Sequence, residues 1–354
     1  MKAAVLRAFG APLAIEDVDD PRPGPDDVVI GVRACGIDGT DLKLLDGFGY
    51  TPDLPFIMGH EAAGVIEAVG ERVRTFTPGD RVIPYNFLIP PGSPWYQGER
   101  EQLSPDMVGV VGVKGRNGGF AERLMLPAHQ LVRIPDGVDW HDAAVHCDAG
   151  ITAYHAVRRS RLALGETVLV IGVGGVGSFA VQYAGLAGAH VIAADRTEAK
   201  LAWARELGAA EAIDSVALAV AVRKLTGGRG VDCVLDIVGT EATMAAGVDA
   251  LCVGGRIVIV GYTPDSVTLS GKRLAQNELE VIGSRAGSRR ELAAALALTA
   301  AGRVRSIVTD TAPLVEVNQA LAKLKRGDVV GRLVLDISTD ESPSATPGYQ
   351  GSAT

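Results

Sequence analysis

Two sets of residues have the types and spacing to do chemistry. The first is Gly172-Val173-Gly174-Gly175-Val176-Gly177, a G-x-G-x-x-G turn that follows the β-branched run Val168-Leu169-Val170-Ile171 and opens an apolar helical pattern. In a strand–turn–helix, Gly172 lets the chain turn, Gly174 clears the approach of a pyrophosphate, and Gly177 lets the helix pack against its strand. The helix start then turns free N–H groups, including those of Gly175 and Val176, toward phosphate. Asp195 follows Gly177 by 18 residues and ends the run His190-Val191-Ile192-Ala193-Ala194. A carboxylate there holds the ribose hydroxyls of a dinucleotide and repels a 2′-phosphate, so NAD is expected over NADP, although Arg196 beside it works the other way. The second set lies in the first half of the chain. Asp38-Gly39-Thr40-Asp41, Gly59-His60-Glu61 and His146-Cys147-Asp148-Ala149-Gly150 each sit in or beside a glycine-marked turn, where a side chain can project into a cleft.

These residues need elements to hold them. Residues 1 to about 125 read as β-rich, with strand-like runs at Val28 to Ala34 and Gly64 to Gly70. Residues 150 to about 284 alternate strand and helix, with further strands at Val231 to Ile237, Gly255 to Val260 and Leu279 to Ile282. A helix is expected over Thr197 to Leu207, capped by Thr197 and stopped by Gly208. This alternation implies a doubly wound parallel sheet. Two more helices (Arg289 to Ala300, Val315 to Lys325) and a strand (Val329 to Ile337) follow. The tail, 338–354, is rich in Ser, Thr, Pro and Gly and is expected to be disordered.

With 354 residues, 47% of them hydrophobic, there is ample material for a core. A net charge of −8 argues against nucleic acid or an anionic membrane as partner. Cys35, Cys147, Cys233 and Cys252 are scattered with no C-x-x-C, and the N-terminus reads as no signal peptide, so a cytoplasmic setting is expected.

The chain resembles the medium-chain dehydrogenase/reductase family, on its zinc-dependent alcohol dehydrogenase branch. Cys35 to Leu42, Gly59 to Gly64, Gly79 to Val82, Gly118 to Glu122, Asp148 to Thr152 and the glycine turn carry the resemblance, in family order over residues 1 to about 336. It implies an α/β chain: a GroES-like β-rich catalytic domain (1–149 and 286–337) around a Rossmann domain (150–285). It also implies one catalytic metal, with His60 and Asp148 at two ligand positions and Asp38 where the family usually has Cys. The resulting O/N/O set is hard and no longer selects zinc by softness, so zinc or another divalent ion is expected. Glu61 is implied as a near neighbour of the metal that can displace its water, Asp41 as the carboxylate orienting His60, Thr40 as the hydroxyl that takes the alcohol proton, and Arg332 as an arm to the pyrophosphate.

Other roles remain open at this point. Asp38 could serve a turn, Asp148 could cap a helix, and His146 or Cys147 could ligate instead. Lys43, at the family's outer relay position, reads as a solvated surface charge. Where many relatives carry four zinc-binding cysteines, the segment Pro84 to Gly118 has none; Pro91, Pro94, Gln97 and Pro105 stand at the corresponding positions. No structural zinc is expected, and the lobe must rest on proline stiffness and on Phe87, Leu88, Ile89, Trp95 and Tyr96. Phe48, Tyr50, Trp95 and Tyr96 are candidates for the substrate pocket. The resemblance implies NAD-dependent oxidation of a small-molecule alcohol (secondary alcohol, polyol or sugar) by a homodimer or homotetramer paired near Leu279 to Ile282. The main rival is a metal-free reductase of polarised C=C bonds in enones, quinones or acyl-CoA esters; a non-catalytic dinucleotide sensor is a more distant one.

Overall fold

The computed structural model describes residues 1–337 apart from Tyr50 and Gln97; the expectations for those two positions and for the tail lie outside the described residues. The β-branched runs of the second half form a six-stranded parallel sheet. Its order is Glu211–Asp214, His190–Asp195, Thr167–Ile171, Val231–Asp236, Leu251–Ile259, Glu280–Gly283. In sequence rank that is 3-2-1-4-5-6, the doubly wound order that opens a crevice at the carboxyl ends of its strands. Strand Thr167–Ile171 is buried along nearly its whole length and leads into helix Gly175–Leu186 through the glycine turn.

The first half forms a seven-stranded, mainly antiparallel sheet in which Asp27–Ile37 is central. It pairs with Glu61–Val69, with Arg123–Pro127 and with Arg332–Asp336 from the far end of the chain, Leu333 lying opposite Ile37. Both chain ends therefore build one sheet. Separate apolar clusters underlie the two sheets. One, centred on Leu6, Ile30, Ile66 and Phe120, fills the β-rich half; another, centred on Val168, Phe179 and Leu235, runs through the parallel sheet and up to Tyr85 and Ile89.

Several local expectations need correction. Thr197 stands at the N-cap of helix Glu198–Glu206, but its side chain makes no capping bond. Strands Glu211–Asp214 and Val308–Pro313 were not legible, because each is short and carries acidic residues. All four cysteines are free and buried. No helix among the described residues is long and apolar enough to cross a membrane.

Candidate active site

Strand Asp27–Ile37 ends at Asp38, whose extended backbone caps helix Gly39–Leu45. Asp38 Oδ1 accepts from Thr40 N at 2.7 Å and Asp41 N at 3.3 Å, and Asp41 Oδ2 accepts from Asp38 N at 3.0 Å, closing a capping box. The turn role considered for Asp38 is thus a capping role, and it leaves the carboxylate facing His60. His60 enters from the neighbouring strand, where Glu61 lies opposite Gly36. Asp148 arrives on a π-helical turn, His146–Gly150, set between helices Trp140–Val145 and Ile151–Ser160. Such turns push a side chain out of helical register and are frequent at functional sites. Asp148 caps no helix: the N-cap of the following helix is Gly150.

One donor atom from each of Asp38, His60 and Asp148 falls within 4.8 Å of the others. His60 Nε2 is 3.6 Å from Asp38 Oδ1 and 3.9 Å from Asp148 Oδ2, and His60 Nδ1 is 3.6 Å from Asp41 Oδ1. His60 is 3% exposed, yet neither ring nitrogen has a hydrogen-bond partner, nor does Asp41 Oδ1. Buried polar atoms are rarely left so, because each forfeits its hydration. Burial alone would lower the His60 pKa; Asp38, Asp41 and Asp148 together outweigh it and hold the ring well above its ordinary value. Burial and the charge of Asp38 raise Asp148. Four carboxylates face one histidine and one arginine, an excess of negative charge around an unpartnered imidazole. The residues fit a divalent cation held by oxygen and nitrogen donors.

Glu61 is fully buried, and burial pushes its carboxyl up to about 7 against the pull of Arg332. Arg332 Nε donates to Glu61 Oε2 at 2.9 Å, Arg332 Nη2 donates to Glu61 Oε1, and Ala149 N donates to the same oxygen at 3.0 Å. Glu61 is therefore tied to Arg332 rather than turned toward the three donors. Arg332 Nη2 also lies 3.6 Å from both Asp38 and Asp148, and a Cβ on Gly175 would meet Arg332 Nη1 at 2.7 Å. The arginine sits between the carboxylates and the start of the nucleotide-turn helix. Thr40 Oγ1 is 3.4 Å from Asp38 Oδ2. His146 faces elsewhere: Nδ1 meets Asp142 O at 2.7 Å and Nε2 meets Thr299 Oγ1 at 3.1 Å. Cys147 Sγ donates to Ala62 O at 3.3 Å.

In the glycine turn, Gly172 has φ +92°, open to glycine at little cost. A Cβ on Gly177 would lie 1.9 Å from Gly172 O, whereas one on Gly174 would meet nothing within 4 Å. The close-packing role and the open-approach role thus fall on different glycines. Asp195 Oδ2 accepts from Val173 N at 2.8 Å and Oδ1 from Arg196 N at 2.7 Å, so the carboxylate sits beside the turn; the Arg196 side chain is exposed.

A cleft of about 630 Å³ joins the two halves. Asp38, Thr40, His60 and Asp148 line it together with the apolar Val176, Ile237, Val238 and Val260. Of the aromatics expected there, Phe48, Trp95 and Tyr96 do not line the cleft: Phe48 is 46% exposed and Tyr96 packs on His129, while Phe87 and Tyr262 line it. Lys43 is not free in solvent. Its Nζ donates to Tyr262 O at 3.0 Å and lies 3.7 Å from the Tyr262 ring centre. Asn86, Ser284 and Arg285 also line the cleft, and no spacing in the sequence marked them.

Known proteins are similar to this chain along nearly its whole length. The family of zinc-binding dehydrogenases matches residues 175–301, and the GroES-like domain of alcohol dehydrogenases matches residues 24–136. An NAD-dependent alcohol dehydrogenase of Sulfolobus acidocaldarius is 34% identical over 347 residues, covering 96% of this chain and 100% of its own. An acryloyl-coenzyme A reductase of Metallosphaera sedula is 33% identical over 341 residues, covering 95% and 99%. The crystal structure of the alcohol dehydrogenase from Aeropyrum pernix superposes with a TM-score of 0.88 at 35% identity, covering 95% and 100%.

Proposed function

The chain belongs to the zinc-binding alcohol dehydrogenases, NAD-dependent oxidoreductases with a GroES-like domain, and on that premise we propose that it oxidises a secondary alcohol, polyol or sugar to the carbonyl compound with one divalent metal per chain. The observation that carries this is the convergence of Asp38, His60 and Asp148 around an unpartnered, buried imidazole. A cation bound there would polarise the substrate oxygen, and NAD at the glycine turn would accept the hydride.

The chain's own residues do the rest. Thr40 Oγ1, which stands 3.4 Å from Asp38 Oδ2, relays the hydroxyl proton of the substrate: it accepts that proton as it gives up its own, which passes outward along the cleft to water. Asp41 faces the far nitrogen of His60 and fixes which way the ring presents Nε2. Arg332 neutralises Glu61 and keeps that carboxylate from adding to the negative charge of the floor. Val176, Ile237, Val238 and Val260 present apolar surface that excludes water from the reacting carbon. Asp195 reads the adenosine ribose, favouring NAD over NADP, with the glycines 172, 174, 175 and 177 lining the pyrophosphate path. With no cysteine between residues 84 and 118, the lobe holds no second zinc. We further read the enzyme as cytoplasmic and as a homodimer or homotetramer.

The test is metal content by elemental analysis alongside NADH formation. One divalent ion per chain and loss of turnover on chelation, restored by adding metal back, are expected. The similarity to an acryloyl-coenzyme A reductase supports a second reading, reduction of a polarised C=C bond. Full turnover of acryloyl-coenzyme A by chelated enzyme, with no alcohol oxidised by the metal-loaded form, would establish that reading instead.

A further inference from the structure

Two cations line the cleft with no salt bridge to a carboxylate among the described residues, although the charge of Asp38 reaches Lys43 through space. Lys43, on helix Gly39–Leu45, rests on the Tyr262 ring. Arg285, in the turn after strand Glu280–Gly283, lies over the Phe87 ring at 5.2 Å. Many other arginines of this chain are paired to an acid, as Arg256 is to Glu166 and Arg332 to Glu61. The Arg285 turn is also unusual locally. Ser284 Oγ is buried with no partner, and Ala286 has φ +41°, a conformation that a residue with a Cβ rarely adopts. Strain of this kind persists where surrounding structure imposes it, and it concentrates at ligand-gripping sites. Each half of the cleft supplies one cation, held on an aromatic ring.

The charges of the cleft are sorted by depth. Asp38 and His60 are buried at the floor, and Arg285 is exposed at the mouth. An anionic group would be repelled by Asp38 and Asp148 and attracted at the rim. We propose that Lys43 and Arg285 bind an anionic group, a carboxylate or a phosphate, at the end of the substrate remote from its reacting hydroxyl, so that charge alone orients the molecule in the cleft. The substrate class is then an alcohol bearing such a group, with the apolar wall of Val176, Ile237, Val238 and Val260 between the two ends. This rests on the dehydrogenase reading for the hydroxyl, and on the rim alone for the anion. The dinucleotide's own phosphates have another address, the glycine turn at the start of helix Gly175–Leu186.

Two measurements test it. In the first, the enzyme–NADH complex is titrated calorimetrically with butyrate and with inorganic phosphate. Binding of either, weakened about tenfold or more in Arg285→Gln, is expected from loss of a charge-assisted contact; no binding of either anion overturns the proposal, whatever the enzyme turns over. In the second, kcat/KM is compared for 4-hydroxybutyrate against 1-butanol and for glycerol 3-phosphate against glycerol. The charged member of one pair should be preferred, the pair identifying carboxylate or phosphate as the group read, and Arg285→Gln and Lys43→Met should each reduce that ratio about tenfold. Arg290→Gln, an exposed arginine paired with Glu99 away from the cleft, should leave the ratio as it is. Equal loss for both members of a pair, or variants that raise KM for NAD and leave the ratio intact, would assign the two cations to the cofactor and overturn the proposal. If no alcohol is oxidised at all, the dehydrogenase reading falls, and the calorimetric arm still decides the anion site.

Discussion

The molecule buries two groups of charges, one at the cleft floor and one beneath the lobe of residues 84–118, and balances them differently. Under the lobe, Glu101 accepts from Arg289 N at 2.9 Å, and Glu291 accepts from Ser288 N at 2.8 Å, from His155 at 2.9 Å and from Arg158 at 3.2 Å. Each carboxylate there has a cation or a capped helix start, and the lobe stays anchored with no cysteine in it. Proline stiffness and apolar contacts were expected to hold this lobe, and the charges carry part of that load. At the cleft floor, Asp38, Asp41, Glu61 and Asp148 share Arg332 and His60, and the imidazole goes unpartnered. A balanced buried cluster holds structure together, whereas an unbalanced one is poised for a ligand of opposite charge.

That contrast breaks first if the floor cluster is merely structural. Asp148→Asn should lower kcat by about a thousandfold, as loss of a major electrostatic element does. It should also raise the melting temperature of chelated protein by relieving repulsion. A drop in melting temperature would put Asp148 with the structural charges. Glu291→Ala, in the balanced cluster, should do the reverse. It costs about 3 kcal/mol, the usual loss when one partner of a buried pair goes, measured by denaturant unfolding, with one metal per chain retained. Burial alone would raise Glu291, but hydrogen bonds from His155 and the Ser288 N–H outweigh it and lower its pKa below the ordinary 4.5. The stability it contributes is full above pH 4.5 and is lost as pH falls through its folded value. The gap between native and variant should therefore close in acid.

Asp41→Asn sharpens the distinction within the floor. It keeps the shape and much of the capping but weakens the hold on His60, and metal affinity should fall about 10- to 100-fold. A conserved affinity with a lower melting temperature would make Asp41 a cap only. The smallest effects separate the two glycines. Gly177→Ala should cost about 1–3 kcal/mol, as an overpacked contact does. Gly174→Ala should leave unfolding nearly unchanged and raise KM for NAD.

Much of this was legible beforehand because it depends on local rules. The glycine turn, the Asp195 strand end and helix Arg289–Ala300 follow from spacing, capping and periodicity. Asp38, His60 and Asp148 were readable as a set only through the resemblance, since nothing in a linear chain says that a cap, a strand start and a helix interior meet. What stayed hidden depends on tertiary packing. The π-helical turn at Asp148 looks like an ordinary helix start in the sequence, because no residue type in His146–Gly150 marks a widened ring. The strand Val308–Pro313 carries the polar run Thr309-Asp310-Thr311 at its middle and borrows its partner from residues 332–336. Arg285 and Tyr262 belong to no spacing pattern and gain meaning only where the two sheets face one another.

The widened turn at His146–Gly150 also makes the chemistry hang on a length. An α-helix advances about 100° per residue, and the π ring accommodates one residue more than the α-helical ladder requires. Trimming a single residue from this stretch would let the ladder close, swing the Asp148 carboxylate round the axis, and leave the flanking segments free to pack much as before. The sheet and core could outlast such a deletion while the acid left the floor, so loss of the reaction and loss of the fold need not coincide along this lineage.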